Sequence, residues 1–316
     1  MRLLVTGVSG LLGLNLAWLT AGRFEVTGVL RGERATAVPG RAPFQVIEAD
    51  LAIPGQVERV LDLAQPDVVV HCAALTELDR CELYPEEAYR TNTQMPAMLA
   101  RAVARCGARL LHISTDAVFD GARGGYTEED APNPINVYGR TKLEAERLVS
   151  EALPDALIAR VNFYGWSWQG TRSLAEFFFN HFAAGLPFYG YNDVLFAPLL
   201  ANDMVDIFLQ MLDLRLSGVY HVVSSGYQSK YDFARLLARE FGYDESLVSP
   251  ASFRVGSMKA PRSPRLNLCS DRLARVLGQD LPAQQPAMQR FAALYRQDYP
   301  RILRSMFVAP DHTLAG

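Results

Sequence analysis

Arg2-Leu-Leu-Val-Thr-Gly7-Val-Ser-Gly10-Leu-Leu-Gly13 takes a short apolar run straight into three glycines spaced Gly-x-x-Gly-x-x-Gly. Arg2–Thr6 reads as a buried strand, and the apolar positions Leu11, Leu12, Leu14, Leu16, Ala17 and Leu19 read as the helix after it. Glycines at such a turn let the backbone bend tightly and approach a pyrophosphate closely. The helix start then supplies free N–H groups and the positive end of its dipole. Glycine also ends strands for purely structural reasons, so the strand–turn–helix setting gives the triplet its weight.

Working outward, strands are expected at Phe24–Leu30, Phe44–Ile47, Asp67–Cys72, Arg109–Ser114 and Ala156–Val161, with helices at Gln56–Ala64, Glu86–Cys106 and Val137–Ala152. Near-continuously apolar strands alternating with helices indicate a parallel sheet covered on both faces. Crossover handedness makes it an α/β, doubly wound sheet. Past about residue 165 the alternation weakens and aromatics accumulate between Phe163 and Tyr191. A dinucleotide-binding domain over 1–165, rejoined by about 196–224, and a smaller α+β substrate-binding domain over 166–316 are therefore expected. In the latter, Val219–Val223 reads as a strand, Lys230–Phe241 as a helix capped by Ser229, Pro250–Pro264 as a loop and Asp311–Gly316 as a frayed tail. The stretch Trp166–Tyr191 can stack a base or fill a core, and core filling is favoured.

The 316 residues are 49% hydrophobic and 21% charged with net charge −3, which excludes wholesale disorder. No clustered basic excess argues for nucleic acid or an anionic membrane surface. The longest apolar stretch, Leu195–Ala201, is far short of the roughly 18 residues that cross a bilayer. The N-terminus reaches its glycine turn too early for a signal peptide, so a cytoplasmic location is expected. Four Cys and five His show no metal-ligand spacing, so reduced thiols and no metal are expected. Only Lys142, Lys230 and Lys259 are Lys, so 28 of the 31 basic residues are Arg.

At the end of the second strand, where NAD binders place an acid, the chain reads Thr27-Gly-Val-Leu-Arg31-Gly-Glu-Arg34. Arg31 suits a 2′-phosphate, so NADPH is favoured, with NADH kept open. Tyr138-Gly-Arg-Thr-Lys142 puts a phenol and an amine on one helix face. An ammonium beside a phenol favours phenolate and suits it to general acid–base work. Ser114-Thr115-Asp116 ends a strand where open α/β sheets place ligands, and Thr115 can polarise a substrate carbonyl or simply cap its loop.

The Gly7 loop, Asp50-Leu51, His71–Ala74, Tyr89–Asn92, Ser114–Gly121 and Tyr138–Glu146 together resemble the extended short-chain dehydrogenase/reductases. Ser-Thr-Asp-x-Val-Phe-Asp-Gly followed by Tyr-Gly-Arg-Thr-Lys-Leu-Glu is similar to their dTDP-4-dehydrorhamnose reductase branch. The resemblance implies a reductase of a nucleotide-diphosphate 4-keto-deoxy sugar with Thr115, Tyr138 and Lys142 as triad. It puts Gly7, Ser9, Gly10, Leu11, Leu12 and Gly13 at the cofactor's pyrophosphate, Asp50 and Leu51 near adenine, and Ala73, Ala74 and Leu75 along the cofactor trough. It implies that Asn92 supports the active-site Lys, and that Asp116, Asn162 and Arg262 join Thr115 at the substrate. A homodimer is the oligomer considered. The chain departs from the branch at Asn162, where a substrate-stacking Trp is usual, and at Ala117, usually Tyr. An epimerase or dehydratase on the same scaffold is the alternative. So is a non-catalytic NADP-binding subunit like the regulatory subunit of methionine adenosyltransferase, which resembles the same branch.

Overall fold

A computed structural model describes residues 1–32, 42–253 and 259–307. Arg34 and the tail at Asp311–Gly316 lie outside the described residues. In chain order the strands are β1 Arg2–Thr6, β2 Glu25–Leu30, β3 Gln45–Glu48, β4 Val68–His71, β5 Arg109–Thr115, β6 Leu157–Val161, β7 Phe163–Tyr164, β8 Phe188–Tyr191, β9 Leu195–Phe196, β10 Leu199–Leu200, β11 Gly218–Val222, β12 Gln228–Ser229, β13 Val248–Ala251 and β14 Arg265–Leu266. The helices are α1 Leu11–Thr20, α2 Gln56–Ala64, α3 Leu78–Leu83, α4 Pro85–Tyr89, α5 Met95–Cys106, α6 Val137–Ala152, α7 Leu174–Ala183, α8 Ala201–Asp213, α9 Lys230–Phe241, α10 Asp271–Leu277, α11 Gln284–Arg296 and α12 Tyr299–Ser305.

Seven strands form one parallel sheet in the order β11-β6-β5-β4-β1-β2-β3. The order in which successive strands are added reverses between β1 and β4, so the crevice for ligands opens at their carboxyl ends. Both sheet faces are covered. One bears α2, α5 and α6 over Leu4, Val29, Val69, Leu110 and Ile158. The other bears α1 and the aromatic-rich region around Tyr164, Phe208, Phe233 and Phe291. This two-sided burial is why β4 reads Val-Val-Val without alternation.

Trp166 answers the question about the aromatic stretch. It is buried, stacked on Phe291 at 4.1 Å, and its indole N–H donates to the Phe291 carbonyl at 3.1 Å. Phe178, Phe179, Phe182 and Phe188 are buried with it and fill a core, while Phe177 and Tyr189 are exposed.

The structure corrects two local readings. The single helix expected over 86–106 is interrupted by a π-helical turn at Arg90–Gln94. That bulge brings Asn92 and Thr93 inward, where Thr93 Oγ1 donates to the Thr141 carbonyl of α6 at 2.7 Å. Pro250 and Ala251, expected in a loop, belong to β13 and pair with β8. That strand is created by a distant partner, so local composition could not reveal it.

Candidate active site

Gly7 turns the chain out of β1 at φ +73°, and its N–H donates to the Val29 carbonyl at 2.8 Å. A Cβ at Gly7 would lie 2.8 Å from the Cα of Ala73, so the loop after β4 needs glycine beside it. A Cβ at Gly13 would collide with the Gly7 carbonyl, which fixes α1 against the turn. No side chain caps α1, leaving its first N–H groups for a ligand.

Beside this turn a cavity of about 530 Å³ runs along the switch point. Gly7, Ser9, Gly10, Arg31, Asp50, Leu51, Ala73, Ala74 and Leu75 line it. Leu11, Leu12 and Gly13 do not, being buried beneath the loop. The volume suits a cofactor-sized ligand, and the glycine cradle with uncapped helix start suits a diphosphate. A nicotinamide dinucleotide therefore fits the residues present. Arg31 lies 3.7 Å from the Asp50 carboxylate, which also accepts the Ala52 N–H at 3.0 Å.

Sequence reasoning missed Arg172, which lines the same cavity and bridges to Glu77 at 3.6 Å. Its loop is tied to the glycine turn by Trp168, whose indole N–H donates to the Ser9 carbonyl at 3.0 Å. Glu176, fully buried, gathers the N–H groups of Ser167, Arg172 and Ser173 and holds that loop in place. The Ser173–Glu176 capping box was a readable signal for this turn.

Thr115, Tyr138 and Lys142 are brought together at the end of β5 and the start of α6. Asn136 caps α6 by accepting the Gly139 N–H at 2.8 Å. A Cβ on Gly139 would overlap the Ala117 carbonyl, so glycine lets the helix start press against the turn after Thr115. The Thr115 hydroxyl donates to Asp116 Oδ1 at 3.1 Å and accepts the Ala117 N–H at 3.1 Å. Burial pushes the Tyr138 phenol above its ordinary value, and a hydrogen bond with Thr115 pulls the other way.

The Lys142 charge is the one expected to lower the phenol. Its amine is turned to the Ile113 carbonyl at 2.6 Å and to Nε2 of His112 at 3.4 Å. Burial brings Lys142 down to about 8, with Glu146 and Cys72 opposing. Asn92 reaches the region through Leu75: it accepts the Leu75 N–H at 2.8 Å and donates to the Thr141 hydroxyl at 3.3 Å. It thereby pins the trough loop to the catalytic helix.

The substrate side is assembled from distant segments. Burial pushes the Asp116 carboxyl up to about 6, although Asn162, Thr115 and the Ala117 N–H all hydrogen-bond it. Lys230, at the start of α9, is depressed by burial and by Arg262, while Asp116 opposes. Its ammonium has no hydrogen-bonding partner among the described residues. No sequence pattern marked it, because its neighbours in space are 114 and 32 positions away along the chain. Arg262 is bonded to Asp79 at 2.9 Å and to the Ala260 carbonyl at 3.0 Å. Its segment is strapped across the site by Asn136 Nδ2 donating to the Pro261 carbonyl and Ser263 Oγ to the Phe119 carbonyl, both at 3.0 Å.

A doubly wound sheet with a glycine-turn trench at its switch point, and a Thr, Tyr-x-x-x-Lys set beside it, defines the short-chain dehydrogenase/reductases, which are NAD(P)-dependent oxidoreductases. The family model described as RmlD substrate binding domain matches residues 1–297, and the chain belongs to that family. It is 32% identical over 290 residues to the probable low-salt glycan biosynthesis reductase Agl14 of Haloferax volcanii, covering 90% of this chain and 94% of that one. It is 33% identical over 274 residues to the dTDP-4-dehydrorhamnose reductase of Mycobacterium tuberculosis, covering 83% of each. Methionine adenosyltransferase 2 subunit beta of Bos taurus is 31% identical over 297 residues, covering 89% of this chain and 84% of that one. Among solved structures, dTDP-4-dehydrorhamnose reductase of Bacillus anthracis in complex with NADP superposes with a TM-score of 0.80 at 26% identity, covering 92% and 98%. The protein is a sugar-nucleotide reductase of this kind.

Proposed function

We propose that the protein reduces the 4-keto group of a nucleotide-diphosphate deoxy sugar, with NADPH as the preferred cofactor and Tyr138 as proton donor. A bound nicotinamide supplies the hydride. Tyr138 gives its proton to the carbonyl oxygen, and Thr115 donates a hydrogen bond that orients that oxygen. Lys142 holds the cofactor ribose. Asp116 and Asn162, with Arg262 and the added Lys230 from the 166–316 part of the chain, bind the sugar nucleotide.

The observation that carries this reading is the paired hydroxyls of Thr115 and Tyr138 in a buried site. Burial that raises the phenol keeps it protonated at neutral pH, which is the state a reductase needs at the start of its cycle. Arg31 supports NADPH, being exposed enough to leave Asp50 for a 2′-phosphate.

The test is oxidation of NADPH by the purified protein with a panel of 4-keto sugar nucleotides. Turnover with at least one of them is expected. The likeness to methionine adenosyltransferase 2 subunit beta favours a second reading, a binding subunit that takes the cofactor without turning over. Tight NADPH binding with no turnover across the panel would select it.

A further inference from the structure

Successive side chains of β5 point to opposite faces. On the face toward α6 stand His112 and Ser114, and α6 answers with Lys142 and Glu146, one turn apart. Nζ of Lys142 lies 3.4 Å from Nε2 of His112, and Ser114 Oγ donates to Glu146, whose carboxylate takes the Arg160 guanidinium of β6 at 2.8 Å. Two residues along a strand span about 6.7 Å and four along a helix about 6 Å, so the two polar pairs match in spacing and register the helix on the strand. The seam is dry: His112 is 0% exposed, Lys142 3% and Glu146 4%.

His112 is an odd residue to keep there. Its Nδ1 is buried without a hydrogen-bond partner among the described residues, as is Nε2 of His71. The two rings stack at 5.4 Å, and His71 Nδ1 is bonded to the Thr6 hydroxyl at 2.8 Å. Burial and the Lys142 charge hold His112 well below the ordinary imidazole value, so it is neutral. A neutral ring carries one proton. The nitrogen facing an ammonium must be the lone pair, which leaves the proton on Nδ1, the atom with no partner. An apolar ring or a leucine would suit this core better; what it could not supply is the acceptor turned to Lys142.

We propose that His112 is a positioning residue for Lys142. Its Nε2 and the Ile113 carbonyl take two of the three N–H groups of the ammonium and leave the third for a ligand. The proposal rests on the reading of Lys142 as part of the cofactor site. The other groups that face Lys142 are Glu146 on its own helix and His71 and Cys72 at the end of β4, and Tyr138 stands one turn before it.

The test uses the three-lysine composition. Protein labelled with ¹³C and ¹⁵N in lysine gives signals from Lys142, Lys230 and Lys259 alone, assigned with Lys230→Arg and Lys259→Arg. The Lys142 signal is expected to titrate near 8 in the parent protein. In His112→Leu the midpoint should fall by about one pH unit, the scale of one charge-assisted hydrogen bond. In His112→Gln, whose amide oxygen reaches toward the place of Nε2, most of that fall should be recovered. The Leu variant should lose no thermal stability, since the partnerless N–H goes with the ring. Its kcat should fall about 10-fold, and that of the Gln variant less, with KM for the sugar nucleotide unchanged. Lys142 titrating in the Leu variant as in the parent, or shifted as far by Gln as by Leu, overturns the proposal. The titration needs neither cofactor nor substrate. Absence of turnover in the parent protein would overturn the reductase reading, and the titration would still decide the role of His112.

Discussion

The trench along the switch point and the proposed substrate side are neighbours built on opposite principles. The trench comes from loops that each follow a strand of one sheet: Gly7–Gly10 after β1, Arg31 after β2, Asp50-Leu51 after β3 and Ala73–Leu75 after β4. The proposed substrate side gathers Asp116, Asn162, Lys230 and Arg262 from segments up to 146 residues apart. Repeating topology delivers the first set to one edge automatically. Nothing repeats in the second, so its chemistry is free to differ between proteins that share the trench.

Both regions stand on the buried seam between β5, α6 and β6, and the largest effect should come from breaking it. Glu146→Leu would leave the Arg160 guanidinium, 5% exposed, without its carboxylate. The expected loss is about 3–5 kcal/mol, measured by urea unfolding. A loss confined to one region's ligand, with stability intact, would show the two regions to be independent.

Tyr138→Phe removes the proposed proton donor at the point where the regions meet. It should lower kcat by at least about 100-fold while NADPH affinity, followed by fluorescence, changes little. A variant that stays active would remove Tyr138 from the chemistry.

Asp116 offers a pH signature peculiar to the proposed substrate side. Its folded value of about 6 lies above the ordinary carboxyl value of 3.8, so between those values the folded chain binds the extra proton. Stability contributed by this group is therefore present at low pH and lost as pH rises through about 6. Asp116→Asn should stabilise the protein by up to about 2 kcal/mol at pH 7.5 and hardly at all at pH 4. Equal effects at both pH values would mean that the carboxylate is not held at a desolvation cost.

The smallest effects separate the regions directly. Lys230→Met should raise KM for the sugar nucleotide about 10-fold and leave NADPH affinity alone. Arg31→Ala should weaken NADPH several-fold more than NADH, by about 1 kcal/mol, and leave the sugar-nucleotide KM alone. Crossed effects would merge the two sites into one.

Much of the trench was legible because its signals are local. A glycine that must adopt positive φ, as Gly7 does, or that must admit a neighbouring backbone, as Gly13 does, shows in the sequence at once. So does a cap: Ser229 starts α9 by accepting the Asp232 N–H three residues on. Arg172 and Lys230 were illegible because a cation acquires a role only from what it faces. The direction of the Lys142 amine was illegible for a related reason. One helical turn puts the two residues on a common face, but the direction of a flexible amine was set by the Ile113 carbonyl and His112 on another strand.

Composition and short-range periodicity alone were enough to establish a parallel α/β sheet, a glycine turn after its first strand and a phenol–amine helix, since hydrogen-bonding ladders and φ preferences act over a few residues. Which polar groups end up dry, which charges meet, and hence where each proton sits, depended on packing between remote segments. Desolvation and Coulomb attraction act through space, and only the folded chain says who is near whom.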